Sequence, residues 1–187
     1  EGEPTGKRVT TKDYSEAIRY YMKKSSLPKV VGGFNTNVTF KNFDMNILMN
    51  FSFGSYLHDS VYASLMNGFE SPGRNGHPNL KNRWQNPGDK TDVPLFLNEQ
   101  NDFNAISSRF LFKNNYLRVR GLNLGYTFDE NWMENYQIHG LRVYLQGDNL
   151  FTFQSHKGID PEQELSGLTN NRSHQMKTIS LGINLQL

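Results

Sequence analysis

The chain has 187 residues and a formal net charge of +2 at pH 7, so its length suits one domain and its charge gives no reason to expect nucleic-acid binding. It contains no cysteine, which excludes disulfides and thiolate metal sites. Mean hydropathy is −0.67 and no apolar run approaches 18 residues, so no transmembrane helix is predicted, although this test does not detect membrane-spanning strands.

The N-terminal stretch "EGEPTGKRVTTKDY" has neither an initiator Met nor an apolar signal core. Its composition is typical of a loop, and residues 1–27 are predicted to be one, with a short helix as an option over Lys12–Lys24. We therefore expect the chain to be a piece of a longer protein.

Two alternating runs come next. In Val30–Phe40 ("VVGGFNTNVTF") the even positions are largely apolar, and in Phe43–Gly54 ("FDMNILMNFSFG") the odd positions are, with Leu48 as the exception. Lys41-Asn42 between them has the length of a tight hairpin turn. The pattern predicts an antiparallel hairpin with one apolar face.

About sixty polar residues, Ser55–Asn115, separate this hairpin from the next run, and Tyr56–Phe69 within them allows a short helix. The next strand is predicted over Tyr116–Phe128 ("YLRVRGLNLGYTF"), where the apolar positions change parity in the middle. One extra residue near Arg120-Gly121 would restore a single face, so we predict a β-bulge there.

The last two predicted strands are Leu141–Phe153 ("LRVYLQGDNLFTF") and His174–Leu187, which ends in the alternating "TISLGINLQL". Asp129–Gly140 and about twenty polar residues, Gln154–Ser173, connect them to their predecessors. The five runs span about 11–14 residues, whereas globular strands are usually ~5–6 and tilted membrane strands need about 9–11.

Strand length and the alternation of short and long connections favour a transmembrane β-barrel. A sixty-residue loop is uncommon in a compact soluble domain but normal on a barrel rim. Aromatic residues cluster at both strand ends, as the two interfacial girdles of a barrel do: Phe40, Phe43 and Phe128 at the short turns, and Phe51, Phe53, Phe151 and Phe153 at the long loops. The predicted fold class is all-β, an antiparallel transmembrane β-barrel.

Three stretches carry a family resemblance: "NNYLRVRGLNLGYTF", "GLRVYLQGDNLFTFQSHKGIDPEQ" and the closing "KTISLGINLQL". Together with the hairpin before them, over about Leu27–Leu187, they resemble the C-terminal end of the SusC/RagA family of TonB-dependent outer-membrane transporters. The final Leu187 departs from the aromatic residue with which members tend to end.

The resemblance implies a 22-stranded barrel of which this chain supplies the last five strands. It also implies an N-terminal plug, a SusD-like surface lipoprotein as lid, contact with outer-membrane lipid, and import of oligosaccharides or peptides driven by TonB through the missing N-terminal part. A C-terminus on the periplasmic side makes residues 28–187 barrel strands, with residues 1–27, 55–115 and 154–173 as extracellular loops.

The polar positions of two neighbouring strands are the candidate lumen-facing residues: Arg118, Arg120, Arg142, Tyr144, Gln146 and Asp148. They form either a wall that meets the plug or substrate, or a structural ladder of Arg–Asp and Tyr pairs across strands. We favour the ladder. Trp84, Phe96 and Phe103 in the long loop are candidate contacts to substrate or, at least as well, to the lid.

No catalytic residue, metal site or cofactor is predicted, and nothing indicates an enzyme. Asp160, Glu162 and Glu164 in "GIDPEQE" offer oxygens of the kind that Ca²⁺ prefers but lack its ligand spacing. Two other functions remain as alternatives: a soluble β-sandwich carbohydrate-binding module and a passive porin-type barrel. Strand length and the sixty-residue loop argue against the sandwich.

Overall fold

The computed structural model describes residues 11, 13–67, 73, 75–95, 104–129, 138–162, 165–169 and 173–187. Its strands are β1 (Val30–Phe40), β2 (Phe43–Phe53), β3 (Tyr56–His58), β4 (Leu111–Lys113), β5 (Tyr116–Thr127), β6 (Gly140–Gln154) and β7 (Thr178–Gln186). One α-helix, α1 (Ser60–Leu65), and three 3₁₀ turns (Tyr14–Glu16, Pro78–Asn82 and Ser108–Phe110) complete the described elements. No helix among them is long and apolar enough to cross a membrane.

The chain divides into two units. The loop unit comprises Glu1–Ser26, Tyr56–Phe112 and Gln163–Asn171. The sheet unit comprises Leu27–Ser55, Lys113–Glu162 and Arg172–Leu187.

The sheet unit is one five-stranded antiparallel sheet in the order β1-β2-β5-β6-β7. The predicted hairpin is confirmed: Phe40 pairs with Phe43 across the Lys41-Asn42 turn, where Lys41 has a φ of 53°. All five predicted strands are present in the predicted chain order. The alternating pattern located them because one buried or covered face imposes a period of two on any strand.

The predicted bulge is also confirmed. Leu48 pairs with Gly121 and Met49 pairs with Val119, so that Arg120 is the extra residue on β5. The insertion returns Leu117 and Val119 to the face that carries the apolar residues of the second half of β5.

The sheet therefore has one almost wholly apolar face, and this face is exposed. One cross-strand row, for example, runs Val38, Met45, Leu124, Leu145 and Leu181. Phe34 is 53% exposed and Leu181 72%, values that belong to a surface rather than to a core. Aromatic side chains mark both ends: Phe43 and Tyr126 lie 4.7 Å apart between ring centroids near the hairpin turn, and Phe51 and Phe53 lie 5.6 Å apart at the other end.

The final strand begins later than predicted. β7 starts at Thr178, opposite Asp148, whereas the pattern predicted a start at His174. The backbone N–H of Gln175 donates to Asp160 Oδ2 at 3.2 Å, and the Asn149 side chain donates to the Met176 carbonyl at 3.3 Å. These bonds hold residues 175 and 176 away from the ladder with β6.

The loop unit has a small core of its own, made by Ala63, Met66, Val93 and Phe110. Tyr56–Phe69 contains the predicted helix only in part, since β3 precedes α1 and the N-cap Asp59 accepts from the Tyr62 N–H at 2.8 Å. The helical option over Lys12–Lys24 is wrong. Only Tyr14–Glu16 forms a 3₁₀ turn there, and the Tyr14 hydroxyl instead donates to the Ile106 carbonyl at 2.6 Å.

Replacement of Gly182 by alanine is expected to destabilise the protein by about 1–3 kcal/mol, because overpacking forces neighbours out of position. Gly182 lies beneath the ring of Tyr144, and a Cβ would stand 2.6 Å from Tyr144 Cε1. Thermal unfolding of the full-length protein measures the effect. Gly121→Ala is the matched control, because its Cβ would meet only Leu48 Cβ at 3.8 Å.

The double variant Gly182→Ala with Tyr144→Ala should be less destabilised than the sum of the two single variants, because the obstructing ring is gone. Strict additivity would contradict the proposed contact.

Candidate functional site

The polar face of the sheet is the candidate functional surface. Its middle row is uncharged and runs Asn37, Asn46, Asn123, Gln146 and Ser180. The Asn46 amide donates to Asn37 Oδ1 at 2.6 Å and to Asn35 Oδ1 at 2.9 Å. The centre of this face is therefore a ladder of neutral hydrogen-bonding groups, with the ion pairs on either side of it.

One ion pair lies toward the hairpin-turn end. The Arg142 guanidinium of β6 donates to both carboxylate oxygens of Asp44 on β2, at 2.9 Å from Nε and 2.6 Å from Nη2. The pair crosses the intervening β5 at Gly125, where a Cβ would stand 2.7 Å from Arg142 Cζ. Arg142 also lies 5.1 Å from the ring centroid of Tyr144. A glycine is needed at this position because the side chains of Arg142 and Asp44 meet directly above it.

The second cluster lies at the opposite end, around the buried Arg118. Its Nη2 donates to both carboxylate oxygens of Asp160 at 2.9 Å, its Nη1 to Glu162 Oε2 at 3.0 Å, and its Nε to Thr152 at 3.1 Å. Hydrogen bonds between a guanidinium and a carboxylate are charge-assisted and roughly twice as strong as those between neutral groups. Arg118 thus attaches the segment that carries Asp160 and Glu162 to the polar face.

Glu162 extends this cluster. Its Oε2 also accepts from Arg120 Nη2 at 2.7 Å and from Gln175 Nε2 at 2.8 Å, and its Oε1 accepts from Asn50 Nδ2 at 2.8 Å. Arg118 and Arg120 are two residues apart on β5, so their side chains lie on the same face and both reach this carboxylate. The cluster has no net charge, because the two arginines, Arg118 and Arg120, balance the two carboxylates of Asp160 and Glu162.

The pKa of Asp160 reflects the hydrogen bonds that it accepts in this cluster. Burial would raise the pKa of this carboxyl, but backbone N–H groups of Glu162 and Gln175 and the Arg118 guanidinium lower it more, and the net pKa lies below its ordinary value. The Asp160 carboxylate therefore stays ionised through the physiological range.

All six candidates on β5 and β6 lie on or beside this polar face. The structure brings Arg118 together with Arg120, and Arg142 with Tyr144, while Gln146 Nε2 lies 3.3 Å from Asp148 Oδ2. The arginines do meet carboxylates, but these are Asp44 on β2 and, beyond the end of β6, Asp160 and Glu162. The sequence pattern did not identify these partners, although the two acidic residues of "DPE" are of the kind that pair with arginines.

Trp84 lies in the loop unit and is partly exposed, and its backbone N–H donates to the Val93 carbonyl at 2.9 Å. Phe96 and Phe103 lie outside the described residues. In the part of the chain that is described, no group of three His, Cys, Asp or Glu side chains is arranged to hold a metal ion.

Comparison with known proteins shows which of them this chain resembles. No family model matches the chain. The TonB-dependent receptor SusC of Bacteroides thetaiotaomicron is 30% identical over 167 residues, which cover 89% of this chain and 16% of that protein. TonB-dependent receptor P3 of Formosa agariphila is 28% identical over 170 residues, which cover 85% of this chain and 16% of that protein.

The solved structure of the RagAB peptide importer in its closed-closed state matches with a TM-score of 0.80 and 27% identity. The match covers 99% of this chain and 20% of that one. The chain thus spans about a sixth of the length of the curated relatives that it matches. The chain belongs to the SusC/RagA family of TonB-dependent outer-membrane transporters.

Proposed function

We propose that this chain forms five consecutive strands near the C-terminus of a closed, 22-stranded TonB-dependent barrel. The whole protein imports oligosaccharides or peptides across the outer membrane. In this proposal a plug fills the barrel, a SusD-like lipoprotein covers it, and TonB engages a part of the protein outside this chain.

The observation that carries the proposal is the exposed apolar face of the sheet. Phe43 and Phe53 lie at its two ends along β2. Ten residues at ~3.4 Å each give about 34 Å of strand, and a tilt of about 40° reduces this to roughly 26 Å of height. That value agrees with the apolar band of about 25 Å on outer-membrane barrels. A β-sandwich would cover such a face with a second sheet.

The polar face supports the same orientation. Charged side chains in a hydrocarbon layer are costly, so the face that carries Arg118 and Arg142 is the one that belongs inside the barrel. We propose that the six candidate side chains on β5 and β6 face the lumen, where some meet the plug and others fix the 155–162 segment. Trp84 belongs to an external loop that contacts substrate or lid.

Cysteine labelling of the full-length transporter tests the topology. A cysteine at Lys157 in the β6–β7 connection is expected to react with a membrane-impermeant maleimide on intact cells. A cysteine at Asn42 in the β1–β2 turn is expected to react only after the outer membrane is permeabilised. Equal labelling of both positions on intact cells would contradict the proposed orientation.

Transport itself is tested by uptake of labelled oligosaccharides and peptides in cells that carry or lack the gene, with and without TonB. Loss of uptake in both deletions is expected, and mass spectrometry of ligand retained by the purified complex identifies the cargo class. Uptake that persists without TonB would indicate passive, porin-type passage instead.

A further inference from the structure

A cavity of about 570 Å³ lies in the sheet unit at the end of β6 away from the hairpin turn. Its lining includes Lys157, His174 and Lys177, together with Arg118, Asp160 and Phe153. The cavity exists because β7 begins only at Thr178, so that no residue of β7 pairs with residues 149–154 of β6. It is thus a consequence of the late strand start described above.

The cavity carries unbalanced positive charge. Arg118 and Asp160 neutralise each other through their direct contact, and Lys157 and Lys177 then leave a net charge of +2. Both lysines are exposed, and neither pairs with a carboxylate among the described residues. An anion is therefore the complementary ligand.

The cavity also adjoins the apolar face. Lys177 Nζ lies 5.9 Å from the ring centroid of Phe151, which is 56% exposed on that face, and the lining residue Phe153 is 63% exposed. Lys41 holds the same relation to Phe40 at the hairpin end, at 5.6 Å. A lysine beside an interfacial aromatic residue is positioned for a charged headgroup above a hydrocarbon layer.

Asn149 supplies a further polar contact. It has a φ of 54°, lines the cavity and donates from Nδ2 to the Met176 carbonyl. Its Oδ1 is buried and accepts no hydrogen bond from the described residues. A hydroxyl group next to a phosphate would satisfy this acceptor. Two ammonium groups, an amide acceptor and an aromatic edge together suit a phosphorylated headgroup with hydroxyl groups.

We propose that this cavity binds the phosphoryl headgroup of an outer-leaflet membrane lipid, with Lys157 and Lys177 on the phosphate and Phe151 and Phe153 against the acyl region. The inference rests on the proposed function in one respect, namely that the apolar face contacts lipid. It predicts a fixed lipid at one place on the barrel wall.

The test measures phosphorylated lipid bound to the purified full-length complex by native mass spectrometry and by titration in nanodiscs that contain anionic or zwitterionic lipid. The double variant Lys157→Gln with Lys177→Gln is expected to bind the anionic lipid roughly thirtyfold more weakly, since each lysine near an anionic surface contributes about fivefold. Lys29→Gln with Lys113→Gln, two other lysines of the sheet unit, is the matched control and should change nothing.

Three results would overturn the inference. The first is equal lipid binding by the double variant and the control. The second is binding of inorganic phosphate to the cavity with no effect of added lipid, which would assign a free phosphate. The third is loss of substrate uptake with unchanged lipid binding, which would assign an anionic cargo.

A spin label at Ile179 keeps the two proposals separate. Collision of the label with a lipid-soluble relaxation agent shows that the apolar face contacts lipid. If the agent does not reach the label, the proposed function fails. If the agent reaches the label but the Lys157→Gln, Lys177→Gln variant binds lipid as the wild type does, only the headgroup site fails.

Discussion

Replacement of Arg118 by alanine is expected to release the segment around Asp160 from the sheet. The side chain is only 3% exposed and holds Asp160 and Glu162 at 2.9 and 3.0 Å, so its removal takes from Asp160 the cation that contacts both of its oxygens and leaves Glu162 with Arg120. Loss of one partner from a buried pair costs about 3–5 kcal/mol. Hydrogen exchange of the Glu162 and Gln175 amides, which donate to Asp160, is expected to accelerate by about 10²–10³-fold in the full-length protein.

Two variants sharpen this test. Arg120→Ala removes an arginine that is 37% exposed and contacts the side chains of Glu162 and Gln175, and it should accelerate exchange far less. Arg118→Lys keeps the charge but loses the planar fork whose three nitrogens reach Asp160, Glu162 and Thr152 at once, so it should resemble alanine more than wild type. Unchanged protection in Arg118→Ala would show that other contacts hold the segment.

Replacement of Ile179 by arginine is expected to impair assembly of the transporter in the outer membrane. Ile179 is 71% exposed on the apolar face, in the row of Ile47 and Leu122 midway between the two aromatic ends. An arginine facing lipid near the bilayer midplane costs about 2–4 kcal/mol. The measurement is the fraction of receptor that reaches the outer membrane in folded, heat-modifiable form.

Ser180→Arg is the matched control, one residue along β7 and on the opposite face. Ser180 pairs with Gln146 in the row of neutral amides, where a charged side chain stays among polar groups. It should assemble better than Ile179→Arg. Equal impairment by both would argue that β7 tolerates no bulk on either face, and a stronger effect of Ser180→Arg would reverse the assigned faces.

The two charged clusters of the polar face have different structural roles. Arg142 and Asp44 join β6 to β2 across Gly125, so they fix strands to one another. Arg118, Asp160 and Glu162 instead fasten a connection to the strands. The neutral row between them carries no net charge, and this separation leaves the middle of the face available for hydrogen bonding without electrostatic preference.

The strand positions were predictable because their cause is local. Alternation with a period of two located every strand of the sheet, and a parity change located the bulge at Arg120-Gly121. Each face of a strand meets a single environment, so every second residue along the strand has the same polarity. The resemblance to the SusC/RagA family likewise rested on contiguous strand motifs, and the comparisons confirm it.

The partners of the charged residues were not predictable from local pattern. Arg142 and Asp44 lie 98 residues apart, and Arg118 and Asp160 lie 42 apart. Their pairing depends on which strands become neighbours and in what register, which is settled only when the whole sheet forms. The late start of β7 has the same origin, because the Gln175 backbone bonds to Asp160, 15 residues away, instead of entering the ladder with β6.

The sequence by itself thus determined the five strands of the main sheet, their faces, the tight turn, the bulge and the family, but not the short strands β3 and β4. The tertiary structure alone decided which carboxylate each arginine meets, where the last strand begins, and that the sixty-residue connection contributes a small core of its own. The division follows from physics: alternation reflects the solvent on each face of a strand, whereas ion pairs, register and cavities depend on contacts between residues far apart in the chain.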